Sequence, residues 1–309
     1  IITKDLYFFP PNLEEEYKSL KNRELNEEEN KKAQELVSIY RHQRAKTIFY
    51  DYCASVSEFS GVGNIVKKIK KYYFSGLRKI TSIKDVIKFS TYARKIRLYC
   101  HAIFYSRLFH NIIEDENYFY FPLQYQPEVT VDIMAPFYKE QKIVVDFVSK
   151  SLPAGYKLAV KEHPHAYGLR PIKYYKEIAK NPRVKLIKIG ADGYDLIKRS
   201  SGVISLSGTS GWQAFINGKP VVVFGNIFYK LAENGVYFVD NIYKLPYIFQ
   251  EIIRDFSPDE DEILKFCYAV YNCTYDGFVG PPFYDSYIMT DENIKNVTNA
   301  IISEYKKIG

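Results

Sequence analysis

GVISLSGTSGWQAFINGKPVVVF, residues 202–224, is the stretch that decides how this chain folds. An apolar run from Gly202 to Ser205 leads into small hydroxyl and glycine residues, Ser205 to Gly211. An apolar helical stretch, Gly211 to Asn217, then stops at Gly218-Lys219-Pro220, and a second apolar run covers Val221 to Phe224. Short unbroken apolar runs on either side of a helix read as parallel strands, buried on both faces and joined by a crossover.

The same alternation extends outward from Asn117 to the end of the chain. Further strands are predicted at Tyr118–Pro122, Lys157–Lys161, Val184–Ile187 and Tyr237–Val239. Helices are predicted at Phe137–Ser151, Ile172–Ala179, Gly193–Arg199, Tyr243–Arg254, Glu260–Val270 and Glu292–Tyr305. The fold class is therefore α/β, with a C-terminal Rossmann-type parallel sheet, residues 117–309, carrying helices on both faces. Residues 1–116 read as a smaller, helix-rich N-terminal region on the acceptor side, with strands at Leu6–Phe9 and Thr47–Cys53 and a charged helix from Glu27 to Arg44. The chain opens on Ile1 rather than Met, which reads as a fragment whose missing part is N-terminal.

With 309 residues, 47% hydrophobic and 26% charged, the chain can bury a sizeable core and is neither disordered nor fibrous. No apolar run reaches the roughly 18–20 residues of a membrane-spanning helix. Cys53, Cys100, Cys267 and Cys273 have no CxxC spacing and no histidine cluster beside them, so neither a zinc site nor a disulfide framework is indicated, and a reducing cytoplasm fits. The net charge of +7 is concentrated: from Asn64 to Cys100, eleven Lys and Arg residues stand against one acidic residue, Asp85. Apolar residues recur between them at three- and four-residue steps. This basic amphipathic segment, 64–100, reads either as a solvated helical face or as contact with an anionic membrane surface or an acidic polymer, which would make the protein peripheral to the inner face of the cell membrane. No nucleic-acid motif accompanies the charge, so nucleic acid is not an expected partner.

Ligands of such sheets bind where strands end and loops enter helices. One such loop is Lys161-Glu162-His163-Pro164-His165, a concentration of titratable groups at a strand end. A residue before proline is held extended, which directs the ring of His163. His163, with Lys161, is read as donating to a phosphate; the alternatives are ordinary loop polarity, or a metal for which the sequence offers no third ligand at a recognisable spacing. The second loop, Ser205 to Gly211, puts Ser207, Gly208, Thr209 and Ser210 at a helix N-terminus, a ready anion site, or else a plain N-cap by Thr209 or Ser210. It is neither a Walker loop nor GxGxxG. Glu128, just past the first strand of this half, is a candidate general base, with Asp132 in reserve.

KEHP (161–164) followed by SGTSGWQAFINGKPVVVFG (207–225), and preceded by FPLQYQPE (121–128), resembles the capsule polysaccharide biosynthesis family over residues 117–245. These are bacterial sugar transferases of GT-B architecture related to Kdo transferases. The resemblance implies a metal-independent glycosyltransferase with no cofactor beyond a nucleotide-sugar donor, such as a CMP-linked one, and a polysaccharide or glycolipid acceptor. Carried over, His163, Ser207, Thr209 and Ser210 hold the donor phosphate and Lys161 and Glu162 shape its pocket. Similar proteins often have Glu at the position of Gln213; if that position meets the ribose, the amide keeps a hydrogen bond and loses a charge. Three other readings share the architecture or setting: a nucleotide-sugar 2-epimerase, a polyol-phosphate transferase, and a non-catalytic subunit of a polysaccharide assembly complex.

Overall fold

A computed structural model describes residues 10, 12–42, 108–111, 116–166, 169–279 and 286–308. The predicted strands Leu6–Phe9 and Thr47–Cys53 and the basic segment 64–100 lie outside these residues. The described elements in chain order are α1 (Leu13–Lys21), α2 (Glu27–His42), β1 (Phe109–His110), β2 (Asn117–Pro122), α3 (Val129–Asp132), α4 (Gln141–Ser151), β3 (Tyr156–Lys161), α5 (Ile172–Ala179), β4 (Val184–Ile187), α6 (Gly193–Arg199), β5 (Gly202–Ser205), α7 (Thr209–Ile216), β6 (Val221–Val223), β7 (Val236–Phe238), α8 (Leu245–Asp255), α9 (Glu260–Asn272) and α10 (Asp291–Ile308).

The seven strands form one sheet in the order β1-β4-β3-β2-β5-β6-β7, with every pairing parallel. From β2 the chain moves outward through β3 and β4, then returns to lay β5 on the other side of β2. The direction of winding reverses there, so a crevice opens beyond the C-terminal ends of β2 and β5.

Strand periodicity explains why both faces are covered. Successive side chains of a strand point to opposite faces. Tyr118, Tyr120, Val203, Val221 and Val223 join one core with Leu196, Trp212, Phe215 and Phe266. Phe119, Phe121, Ile204 and Val222 join the other with Val148, Tyr175, Ile178 and Phe249. Neither face of the central strands meets water, which is why their sequences read as continuous apolar runs.

Part of the N-terminal region meets the sheet. Helices α1 and α2 pack into the first core: Leu13, Tyr17, Leu20, Leu36 and Val37 are all buried with Phe266 and Trp212. Tyr17 meets Phe266 edge-on at 4.9 Å. Arg41 clasps Glu260 with two bonds of 2.8 and 2.7 Å and donates to the Ile216 carbonyl at 2.8 Å, tying α2 to α9 and α7. Residues 12–42 are thus a layer of the sheet domain.

Some boundaries shift for local reasons. The helix predicted from Phe137 begins at Gln141, because Pro136–Tyr138 makes a separate 3₁₀ turn. The helix predicted from Gly211 begins at Thr209, because Gly208 takes the N-cap. Among the described residues no helix is long and apolar enough to cross a membrane.

Candidate functional site at the strand ends

The β5–α7 loop is built around glycine. Gly208 is extended (φ −84°, ψ 163°) and caps α7 without a side-chain bond, so neither Thr209 nor Ser210 is the cap. Ser205 Oγ accepts from the Gly208 N–H at 3.0 Å, and the buried Tyr229 hydroxyl donates to the Gly208 carbonyl at 2.8 Å. Tyr229 lies so close to α7 that a Cβ on Gly211 would sit 2.8 Å from its Cζ, which requires glycine there. Ser207 is buried and its hydroxyl donates to the Thr130 carbonyl, joining the loop to α3. Thr209 is exposed and Ser210 partly so; their N–H groups are the first of α7 and by helix geometry leave through its N-terminal end. Gln213 is half-buried on the next turn, its carbonyl accepting from the Asn217 N–H.

Gln124, at the end of β2, was not among the predicted site residues. It is buried, and its side-chain oxygen, in the amide orientation its neighbours satisfy, accepts from the N–H groups of Ser207 (3.2 Å) and Gly208 (2.8 Å). Its backbone is held by Gln141, which accepts from the Gln124 N–H at 2.8 Å and donates to its carbonyl at 3.0 Å. That carbonyl also accepts from Arg170 at 2.6 Å.

Arg170 links this strut to the histidine loop. It donates twice to Glu162, at 2.5 and 2.6 Å; Tyr175 Oη (2.7 Å) and the His163 N–H (2.6 Å) also donate to that carboxylate. Glu162 is therefore turned inward as the anchor of the loop, with 2% of its surface exposed. Lys161 is buried below it, and the Lys161 carbonyl accepts from the Leu123 N–H at 2.8 Å, joining the ends of β2 and β3.

His163 Nδ1 accepts from the His165 N–H at 3.2 Å, which places the proton of the neutral ring on Nε2. The ring lies among those of Tyr125 (6.1 Å) and His165 (5.5 Å). Burial, aided by the neighbouring His165, Lys161 and Arg170, pushes its pKa down to about 4, so the ring is a neutral donor at physiological pH. An unfolded chain takes up this proton near the ordinary imidazole value of 6.5, the folded chain only near 4, so acid favours unfolding across that window. His163→Asn is expected to remove on the order of 2 kcal/mol of the stability loss between pH 7 and pH 4.5. Thermal melts of both proteins at the two pH values test this; equal pH slopes would mean that His163 titrates normally.

Glu128 caps α3 just past the end of β2, and the residue is exposed. Partial burial of the carboxyl raises its pKa above the ordinary range, while Thr130 Oγ1, donating at 2.9 Å, pulls the other way. Asp132 turns back to accept from the Glu128 N–H at 3.1 Å and stands 3.6 Å from Lys139 Nζ, so it braces the short helix. Ser207 and Thr130 therefore connect the β5–α7 loop to the Glu128 carboxylate. Among the described residues no group of three or more His, Cys, Asp or Glu is placed to hold a metal ion.

The ends of three adjacent strands, β3, β2 and β5, thus lead to a neutral imidazole donor, a carboxylate and a helix N-terminus. The family described as "capsule polysaccharide biosynthesis protein" matches residues 64–236, more than half of the chain. The chain belongs to this family. The match starts at Asn64 and so takes in the basic segment as well as both loops, a wider span than the motifs alone covered. No curated protein matches the chain. Solved structures similar to it include the KpsC β-Kdo 2,7 transferase of Thermosulfurimonas dismutans, at 16% identity and TM-score 0.37 over 74% of this chain and 60% of that one. The β-Kdo 2,4 transferase of the same organism's KpsC is 14% identical, with TM-score 0.34 over 72% of this chain and 62% of that one. Anabaena Alr3699/HepE in complex with UDP and glucose is 14% identical, with TM-score 0.37 over 60% of this chain and 48% of that one. The chain spans less than two thirds of the length of each.

Proposed function

We propose that this capsule polysaccharide biosynthesis family member is a glycosyltransferase, moving a sugar from a nucleotide-activated donor to a hydroxyl of a growing polysaccharide or glycolipid. The observation that carries the reading is the pairing of the α7 N-terminus with the Nε2–H donor of His163. The two lie on either side of β2, at the switch point of the sheet, two strand spacings or roughly 10 Å apart. A pyrophosphate or phosphodiester of a nucleotide sugar has the charge that this end of the sheet is suited to receive.

The chemistry is displacement at the anomeric carbon. The bond from that carbon to the leaving phosphate oxygen breaks as the acceptor oxygen bonds to it. The N–H groups of Thr209 and Ser210, with His163 Nε2–H, stabilise the charge that grows on the phosphate. Glu128 takes the proton of the attacking hydroxyl. Gln213 meets the ribose, and a CMP-linked donor is the first candidate. The basic segment 64–100 would hold the protein to the anionic inner membrane surface where such acceptors are assembled.

The test is thermal-shift titration of the wild type and His163→Ala with CMP, CDP and UDP. Stabilisation by one nucleotide, about 2.7 kcal/mol at a hundredfold excess over Kd, is expected in the wild type and is expected to be lost in the variant. If none of the three stabilises the wild type, the donor site is absent and a non-catalytic assembly subunit becomes the better reading.

A further inference from the structure

We propose that Gln124 is the positioning residue of the anion-receiving loop: its one side-chain oxygen sets the Ser207–Gly208 backbone so that the next N–H groups emerge into the crevice. Its consequence for ligand binding rests on the donor-site reading above; its structural part does not.

Four observations converge on this residue. Its oxygen accepts from two successive N–H groups, of Ser207 and Gly208. Consecutive N–H groups that would otherwise compete for a ligand are thereby occupied, and the first free ones belong to the helix itself. The side chain is 6% exposed, so no water can replace the acceptor without rearrangement. A Cβ on Gly208 would lie 2.7 Å from that same side-chain oxygen, so the loop backbone approaches the amide as closely as glycine permits. Gln124 itself cannot swing away, because Gln141 pins its N–H and carbonyl and Arg170 pins the carbonyl again. Through Arg170 and Glu162 the same strut reaches the His163 loop, so both halves of the site are referred to one buried amide.

An amide suits this place better than either relative. A carboxylate would accept the same two bonds but bring negative charge toward the bound phosphate. An aliphatic side chain would leave the Ser207 N–H without its acceptor and the Gly208 N–H with Ser205 Oγ alone.

The test uses amide hydrogen exchange and nucleotide titration on Gln124→Leu and Gln124→Glu. In Gln124→Leu, exchange at Ser207 is expected to accelerate about tenfold or more, and that at Gly208, which keeps Ser205 Oγ, by less; affinity for the stabilising nucleotide is expected to fall about tenfold as well. In Gln124→Glu the two amides are expected to stay protected and their proton resonances to move downfield, as bonds to a charged acceptor shorten. Nucleotide affinity is expected to fall there while affinity for the bare nucleoside is kept. Unchanged exchange in Gln124→Leu overturns the strut, as do unmoved Ser207 and Gly208 resonances in Gln124→Glu should the leucine variant not fold. A wild type that binds nucleotide while both variants bind it equally well overturns the positioning role and leaves the donor site standing. A wild type that binds none of the nucleotides overturns the donor site, and the exchange and resonance readouts then decide the strut alone.

Discussion

Replacing Arg170 by methionine is expected to lower stability by about 3–5 kcal/mol, the range for removing one partner of a buried ion pair. The Glu162 side chain is 1% exposed and that of Arg170 13%. Without the guanidinium the carboxylate keeps two donors, Tyr175 Oη and the His163 N–H, but loses the positive charge that clasps it. The Gln124 carbonyl loses its Arg170 bond at the same time. A fall in Tm on the order of 10 °C follows for a chain of this size. Glu162→Gln in the same background removes the orphaned charge while keeping an oxygen for both donors, so the double variant is expected to recover part of the loss. Denaturant titration of the two single variants and the double variant gives the coupling. A loss under about 1 kcal/mol for Arg170→Met would class the pair with exposed salt bridges and remove it as the brace between the loops.

The sheet could be read from the chain because its central strands are buried on both sides. Val221-Val222-Val223 and Leu158-Ala159-Val160 leave no polar alternation to confuse with a helix, and their boundaries fall within a residue of prediction. Helix α1 was missed for the opposite reason. Leu13, Tyr17 and Leu20 form its apolar stripe at steps of four and three, but Glu14, Glu15, Glu16, Lys18 and Lys21 surround them and the segment is only nine residues long. The two-residue β1 carries too little pattern to be called and exists through its pairing with β4. The assignment of residues 12–42 to the sheet domain rests on contacts more than two hundred residues away in sequence, such as Arg41 with Glu260.

At the site, the sequence exposed the residue types but not their direction. Glu162 beside two histidines looked like part of an anion pocket; the structure turns its carboxylate inward to Arg170, eight residues on, across a loop whose path no local pattern dictates. Ser207 looked like its neighbours Thr209 and Ser210, yet its hydroxyl meets the Thr130 carbonyl. Gln124 and Tyr229 gave no signal of their own, since a buried amide and a buried phenol acquire their roles from backbone groups brought close by the sheet. Gln124 did stand inside the quoted FPLQYQPE string, so a polar residue following a fully buried strand was the one available hint.

Glu128→Gln is expected to lower turnover by roughly 10²–10⁴-fold, the usual range for losing a general base, while nucleotide affinity stays near wild type. The two effects separate because Glu128 caps α3, which is joined to the β5–α7 loop through Thr130 and Ser207. The amide can still accept from Thr130 Oγ1, so α3 and its Ser207 contact are expected to persist. Partial burial raises the carboxyl's pKa and the Thr130 hydrogen bond lowers it, burial being the larger effect. A base must be ionised to act, so kcat/KM is expected to fall as the pH drops through this raised pKa. Thr130→Val removes the hydroxyl but leaves the carbonyl that Ser207 uses. With the opposing bond gone, the Glu128 pKa rises further and the acid limb of the profile moves to higher pH. Rate profiles of the three proteins with the nucleotide sugar chosen by the thermal-shift titration test this. A Glu128→Gln variant of undiminished turnover would remove Glu128 as the base. An acid limb that Thr130→Val leaves unmoved would assign that limb to another group.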